Sequence, residues 1–195
     1  MQAEHELVAG PSGGGKTTLL REKHARHEGP SIFMTTKPNE RTAHERPPER
    51  YRRSSASYPE DVRSARQWAR DIDGVAQVIV DEAQNAPSFT EGEGPLKDGL
   101  HEDRSSGVKW VVATQNPMDL RTKANGYGPI QQCRYWVWCG PLKTWHEGFF
   151  DGNGMADMKG LMPTENYEYV VIDPTASLPP GERTVHRGET ERRFG

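Results

Sequence analysis

The sequence predicts an α/β fold in which a central, mostly parallel β-sheet is flanked by helices. Two observations carry the prediction. Residues Gly10, Pro11, Ser12, Gly13, Gly14, Gly15, Lys16 and Thr17 match the phosphate-loop pattern G-x-x-x-x-G-K-[ST] without interruption, between a short strand-like run and a helical one. The runs SIFMT at 31–35, VAQVIV at 75–80 and VKWVVAT at 108–114 are apolar almost throughout rather than alternating, as in strands covered on both faces of a parallel sheet.

In chain order, His5 to Ala9 reads as the first strand and Lys16 to His27 as the first helix. Ser31 to Thr35 follows between Pro30 and Pro38, so the strand–helix–strand unit implies a right-handed crossover. From Lys37 to Pro59 periodicity is lost among Pro38, Pro47, Pro48 and five arginines between Arg41 and Arg53, which predicts a long loop. Those arginines suit phosphate contacts, and with Glu40, Glu45 and Glu49 interleaved they suit a solvated charged loop equally well. Pro59 to Asp71 places Val62, Ala65, Trp68 and Ala69 at helical spacing behind acidic Glu60 and Asp61, predicting an amphipathic helix. Val75 to Val80 is the next strand, Pro95 to Asp103 a short helix, and Val108 to Thr114, Arg134 to Cys139 and Tyr167 to Ile172 three further strands. The expected core domain is 1–173; residues 174–195, rich in proline, glycine and mixed charge, read as a mobile tail or an inter-subunit arm.

Bulk properties bound the function. A chain of 195 residues holds one domain with a real core, and 33% hydrophobic against 27% charged residues leaves room for solvated loops. A formal net charge of −3 offers no global attraction to nucleic acid, so any such contact needs a local patch or a ring of subunits. No run approaches the roughly 20 apolar residues of a membrane helix, and the N-terminal residues lack a signal-peptide pattern, which predicts a soluble protein inside a cell. Cys133 and Cys139 flank a strand-like run and are expected as reduced thiols. In that run Trp136 and Trp138 are expected in the core with nearby Trp145, and no histidines have zinc-ligand spacing.

The phosphate loop needs glycines because successive backbone N–H groups must turn toward a polyphosphate, at φ values a Cβ disfavours. Lys16 would neutralise the β and γ phosphates and Thr17 would place its hydroxyl on Mg²⁺. Asp81 closes an apolar strand at its carboxyl edge, where a carboxylate reaches the Mg²⁺ shell through water; Glu82 beside it is placed to polarise a water for in-line attack. Both residues also suit the capping of the turn that follows. Gln115 ends the next strand at the same edge and would sense the γ-phosphate or hold that water; a plain strand-end turn before Asn116 and Pro117 explains it nearly as well.

Taken together, GPSGGGKT, VIVDEA and RSSGVKWVVATQNP resemble, in order, the FtsK/HerA superfamily of DNA-pumping ATPases, over roughly residues 5 to 140. The absence of added membrane or DNA-reading domains is similar to the genome-packaging ATPases of viruses with an internal membrane. The resemblance implies a RecA/ASCE-like P-loop NTPase fold, ATP and Mg²⁺ as cofactors, and a nucleotide site over Gly10 to Thr18. It implies Thr17 and Asp81 at the metal, Glu82 as catalytic base, Gln115 as sensor and Arg104 as the inter-subunit arginine finger, although Ser105 and Ser106 stand where the family has lysine and tyrosine. It further implies double-stranded DNA as partner, a homo-oligomeric, hexameric ring, a viral capsid or membrane vertex as docking partner, and the host cytoplasm or the virion as location. Candidate pore-facing stretches are Arg41 to Arg53 and Ser88 to Gly99. A small nucleotide or metabolite kinase, or an assembly or secretion factor gated by nucleotide, stay open beside this reading.

Overall fold

The computed structural model describes residues 3–35, 58–85, 95–120, 130–174 and 184–190. The elements, in chain order, are β1 Glu6–Ala9, α1 Lys16–Arg26, β2 Ser31–Met34, α2 Tyr58–Arg70, β3 Ala76–Val80, α3 Pro95–Glu102, β4 Val108–Thr114, β5 Tyr135–Cys139, α4 Glu147–Gly152, β6 Glu168–Ile172 and β7 Thr184–Glu189. Seven strands form one sheet in the order β2-β3-β4-β1-β5-β6-β7. The first five are mutually parallel; β6 runs antiparallel to β5, and β7 antiparallel to β6.

Apolar residues alternate between two covered faces, as expected of strands buried on both sides. On one face Leu7, Val78, Val80, Trp110, Val112 and Trp136 pack against α2, α3 and α4 through Val62, Ala65, Leu96, Leu100, Phe149 and Phe150. On the other, Val8, Phe33, Ile79, Val111, Ala113, Val137 and Cys139 meet Leu19 and Leu20 of α1. Gly99 lets α3 lie on the Trp110 ring, since a Cβ there would come within 2.5 Å of it. The same corner is fixed by Asp103, fully buried, which accepts hydrogen bonds from Arg66, Arg70 and the Trp110 indole N–H.

The expected strands and helices stand within a residue or two of their sequence ranges. Within the stretch from 174 onward, expected as a mobile tail or an inter-subunit arm, 184–189 form β7, and the Thr190 amide docks on the Tyr167 carbonyl at 2.8 Å. The polar run TVHRGE hides this strand because it lies at the sheet edge, where His186, Arg187 and Glu189 stay exposed and no apolar face is demanded. The arginine stretch 41–53 lies outside the described residues. So do 88–94 of the second pore-facing candidate, while 95–99 belong to α3. Trp136 and Trp138 are buried as expected; Trp145 is 67% exposed. Both cysteines are buried free thiols whose pKa values burial pushes up. Among the described residues no helix is long and apolar enough to cross a membrane.

Candidate functional site

The carboxyl edge of the parallel strands gathers most of the sequence-predicted groups, because β1, β3 and β4 all end there. The phosphate loop leaves β1 at Gly10, whose φ of 141° and approach to β5 admit no side chain: a Cβ would stand 2.0 Å from the Cys139 carbonyl oxygen. Gly15, the residue before α1, has φ 97°. The Lys16 ammonium donates to the Gly10 and Pro11 carbonyls at 2.7 and 2.8 Å, which ties the loop to its own lysine. One cavity is lined by Ser12, Gly13, Gly15, Lys16, Thr17 and Thr18 on one side and by Glu82 and Gln115 on the other.

Asp81, fully buried at the end of β3, lies beneath this cavity. Its Oδ2 accepts from the Thr17 hydroxyl at 3.4 Å and the Thr35 hydroxyl at 3.5 Å, and its Oδ1 from the Glu82 amide at 3.0 Å. Hydroxyl plus carboxylate is an all-oxygen donor pair that fits Mg²⁺, which keeps several waters and takes few protein ligands. Among the described residues no cluster of three or more His, Cys, Asp or Glu offers a different metal site.

Glu82 is held in an unusual posture. Its φ of 53° is left-handed for a residue with a Cβ, a conformation maintained only where neighbours over-determine it. The Asp81 carboxylate caps its amide, and its carbonyl accepts the Asn85 amide at 2.9 Å to start a 3-10 turn over Ala83–Asn85. The side chain is thereby turned into the cavity, where Gln115 Nε2 donates to both carboxylate oxygens at 3.3 Å and Gln84 Nε2 donates to Oε2.

Gln115 is presented by a side-chain turn that its own sequence encodes. Thr114 Oγ1 accepts the Asn116 amide at 3.2 Å, and Asn116 Oδ1 accepts the Met118 amide at 3.1 Å, so ATQNP stops β4 and begins the 3-10 turn Pro117–Leu120.

Two residues of the site had no signal in the sequence. His146, buried between the Trp138 and Trp145 rings, places Nε2 3.2 Å from the Gln115 carbonyl oxygen. Its Nδ1 accepts the Lys143 amide at 3.3 Å, and since an amide can only donate, the proton of the neutral ring resides on Nε2 and is given to Gln115. Burial lowers the His146 pKa, which favours that neutral form. Tyr167, in the turn before β6, lines the cavity and donates its amide to the Gly14 carbonyl at 3.2 Å. Both act through contacts made only when distant segments meet.

Arg104 stands apart. It precedes β4, at the opposite edge of the sheet from Gln115, and a strand of seven residues separates the two by about 20 Å. Its charge acts on His5 and Cys133 and its Nε is buried, so it lies away from the cavity of its own chain.

This sheet order and phosphate-loop site define the P-loop NTPase fold, the fold that the FtsK/HerA resemblance implies. Among solved structures the chain is similar to B204, the DNA-packaging ATPase from Sulfolobus Turreted Icosahedral Virus, at TM-score 0.73 and 12% identity, covering 98% of this chain and 100% of that one. It is similar also to the genome packaging NTPase B204 from Sulfolobus turreted icosahedral virus 2 in complex with AMPPCP, at TM-score 0.70 and 12% identity over 97% and 98% of the two chains. The cytoplasmic domain of the Thermomonospora curvata Type VII Secretion ATPase EccC matches at TM-score 0.61 and 16% identity, over 98% of this chain and 24% of that one. No protein-family model matches the sequence, and neither does any curated protein.

Proposed function

We propose that the chain is an ATP-hydrolysing motor that moves double-stranded DNA as a homo-oligomeric, hexameric ring, packaging a viral genome against a capsid or membrane vertex in the host cytoplasm. The observation that carries the hydrolytic part is the strained Glu82, held by Gln115 and aimed into the cavity whose other wall is the phosphate loop. A carboxylate fixed there accepts a proton from water as its oxygen attacks the γ-phosphorus; the bond to the β–γ bridging oxygen breaks, and ADP and phosphate leave. Lys16 and the loop amides would neutralise the phosphates, and Thr17 and Asp81 would hold Mg²⁺, which would add charge neutralisation there. The DNA and ring parts draw support from the likeness to B204, a DNA-packaging ATPase.

The test is ATP hydrolysis by the purified chain with and without long double-stranded DNA, beside Glu82→Gln and Arg104→Ala, with mass followed in solution. The expected result is DNA-stimulated hydrolysis abolished by Glu82→Gln, and an inactive Arg104→Ala partly rescued on mixing with Glu82→Gln subunits. A monomer indifferent to DNA and fully active without Arg104 refutes the motor, and phosphoryl transfer to a nucleoside establishes a kinase instead.

A further inference from the structure

The hydrolytic reading uses one end of the cavity; Tyr167 forms the other. The chain reaches β6 through Tyr167 at φ 71°, left-handed for a bulky residue. It is pinned there from both sides. Its amide donates to the Gly14 carbonyl at 3.2 Å, and its carbonyl accepts the Thr190 amide at 2.8 Å and the Thr190 hydroxyl at 3.3 Å. Gly15 makes room for it: a Cβ on Gly15 would stand 2.9 Å from Tyr167 Cα and 3.3 Å from ring atom Cδ1. The half-buried ring lines the same cavity as Lys16, Thr18 and Glu82.

The sheet order gives the cavity a direction. Glu82 and Gln115 follow β3 and β4, on one side of β1, while Tyr167 precedes β6, on the other. A nucleoside triphosphate with its γ-phosphate at Glu82 and Gln115 must run across the phosphate loop away from them, which carries its nucleoside end to Tyr167. We infer that the Tyr167 ring is the platform on which the nucleobase of that triphosphate stacks. The inference rests on the nucleotide reading above and adds its base-binding residue. Stacking uses the π-face that every base has, so Tyr167 confers affinity for a nucleoside and little choice among bases.

The experiment is calorimetric titration of the full chain, in Mg²⁺, with ATP, GTP and inorganic tripolyphosphate, for wild type, Tyr167→Phe, Tyr167→Leu and Tyr167→Ala. Phenylalanine keeps the ring; leucine fills the space without one, so the comparison survives if the alanine variant is poorly folded. Wild type should bind ATP and GTP about equally, each more tightly than tripolyphosphate. Tyr167→Leu and Tyr167→Ala should lose about 5- to 100-fold for the nucleotides and nothing for tripolyphosphate, with Tyr167→Phe unchanged. Equal weakening of all three ligands by Tyr167→Leu, or no weakening of any, overturns the stacking role while leaving the nucleotide site standing. Failure of wild type to bind ATP and tripolyphosphate alike overturns the nucleotide reading itself.

Discussion

Asp103 offers the sharpest test of what holds the sheet to its helices. Its fully buried carboxylate accepts from Arg66 Nε at 2.9 Å, Arg66 Nη2 at 3.0 Å, Arg70 Nε at 2.9 Å and Trp110 Nε1 at 3.1 Å. One acid thus ties α2 and β4 at the end of α3. Asp103→Ala leaves two guanidiniums and an indole N–H facing each other. Removing one partner of a buried pair costs about 3–5 kcal/mol, and the low end applies because the Arg66 and Arg70 side chains are 14% and 37% exposed and can turn to water. The stranded Trp110 donor, which has no such exit, adds about 1 kcal/mol. The sum, about 4 kcal/mol, corresponds to a melting temperature lower by about 8–16 °C in a chain of this size. Urea unfolding at unchanged slope is the assay, with Glu102→Ala as control. Glu102 binds Arg66 Nη2 at 2.6 Å but is 58% exposed, so its removal should leave the midpoint where it was. A loss below about 1 kcal/mol for Asp103→Ala, or equal losses for the two variants, refutes the argument that burial and not ion-pair geometry sets the cost.

Four further outcomes follow from the same reasoning. His5, fully buried, has its pKa lowered from 6.5 to about 4 by desolvation, with Arg104 contributing. The unfolded chain therefore binds the extra proton first, so stability is complete above pH 6.5 and falls by up to about 3 kcal/mol as pH drops to 4; His5→Gln should flatten that part of a urea-midpoint profile. Glu82→Gln should slow hydrolysis by about 10²–10⁴-fold while the ATP dissociation constant from calorimetry stays within a few-fold of wild type. His146→Ala should lower kcat more than it raises KM, because the imidazole holds the Gln115 main chain and not the phosphate loop, with partial recovery in His146→Gln, whose amide can donate to the same carbonyl. Gly99→Ala should lower the thermal midpoint, since its Cβ would stand 2.5 Å from the Trp110 ring and overpacking costs about 1–3 kcal/mol.

Where burial dictated composition, the sequence was a sufficient guide. The strands β1 to β5 are short, largely apolar runs because helices cover both faces of the sheet there, and the positions of Asp81, Glu82 and Gln115 are legible because each follows such a run at the carboxyl edge. β7 was illegible for the converse reason, since an exposed edge strand needs no apolar pattern. His146 and Tyr167 were illegible for a different one. A histidine after a strand or a tyrosine before one carries no mark of its role; His146 is defined by meeting the Gln115 carbonyl 31 positions earlier, and Tyr167 by meeting the phosphate loop. Closeness to Trp136 and Trp138 in the chain predicts a core position for Trp145, but the 3-10 turn Thr144–His146 sends the histidine inward and the tryptophan out.

The placement of Arg104 bears on how the site could be completed. Among the described residues, Lys16, Glu82 and Gln115 converge on one edge of the sheet, and the described lining of their cavity brings no guanidinium. β4 joins the two edges as one rigid, buried strand, with Gln115 at its carboxyl end and Arg104 four residues before its start. No local rearrangement carries Arg104 across that span, because doing so would unpair β4 from both β1 and β3. A role for Arg104 in hydrolysis therefore requires a second subunit whose cavity faces this chain's opposite edge. The same strand would then link what one subunit's edge senses to what the other edge delivers. That geometry is why mixing inactive Arg104→Ala with inactive Glu82→Gln is more informative than either variant alone: recovery can arise only at an interface where one intact cavity meets one intact arginine.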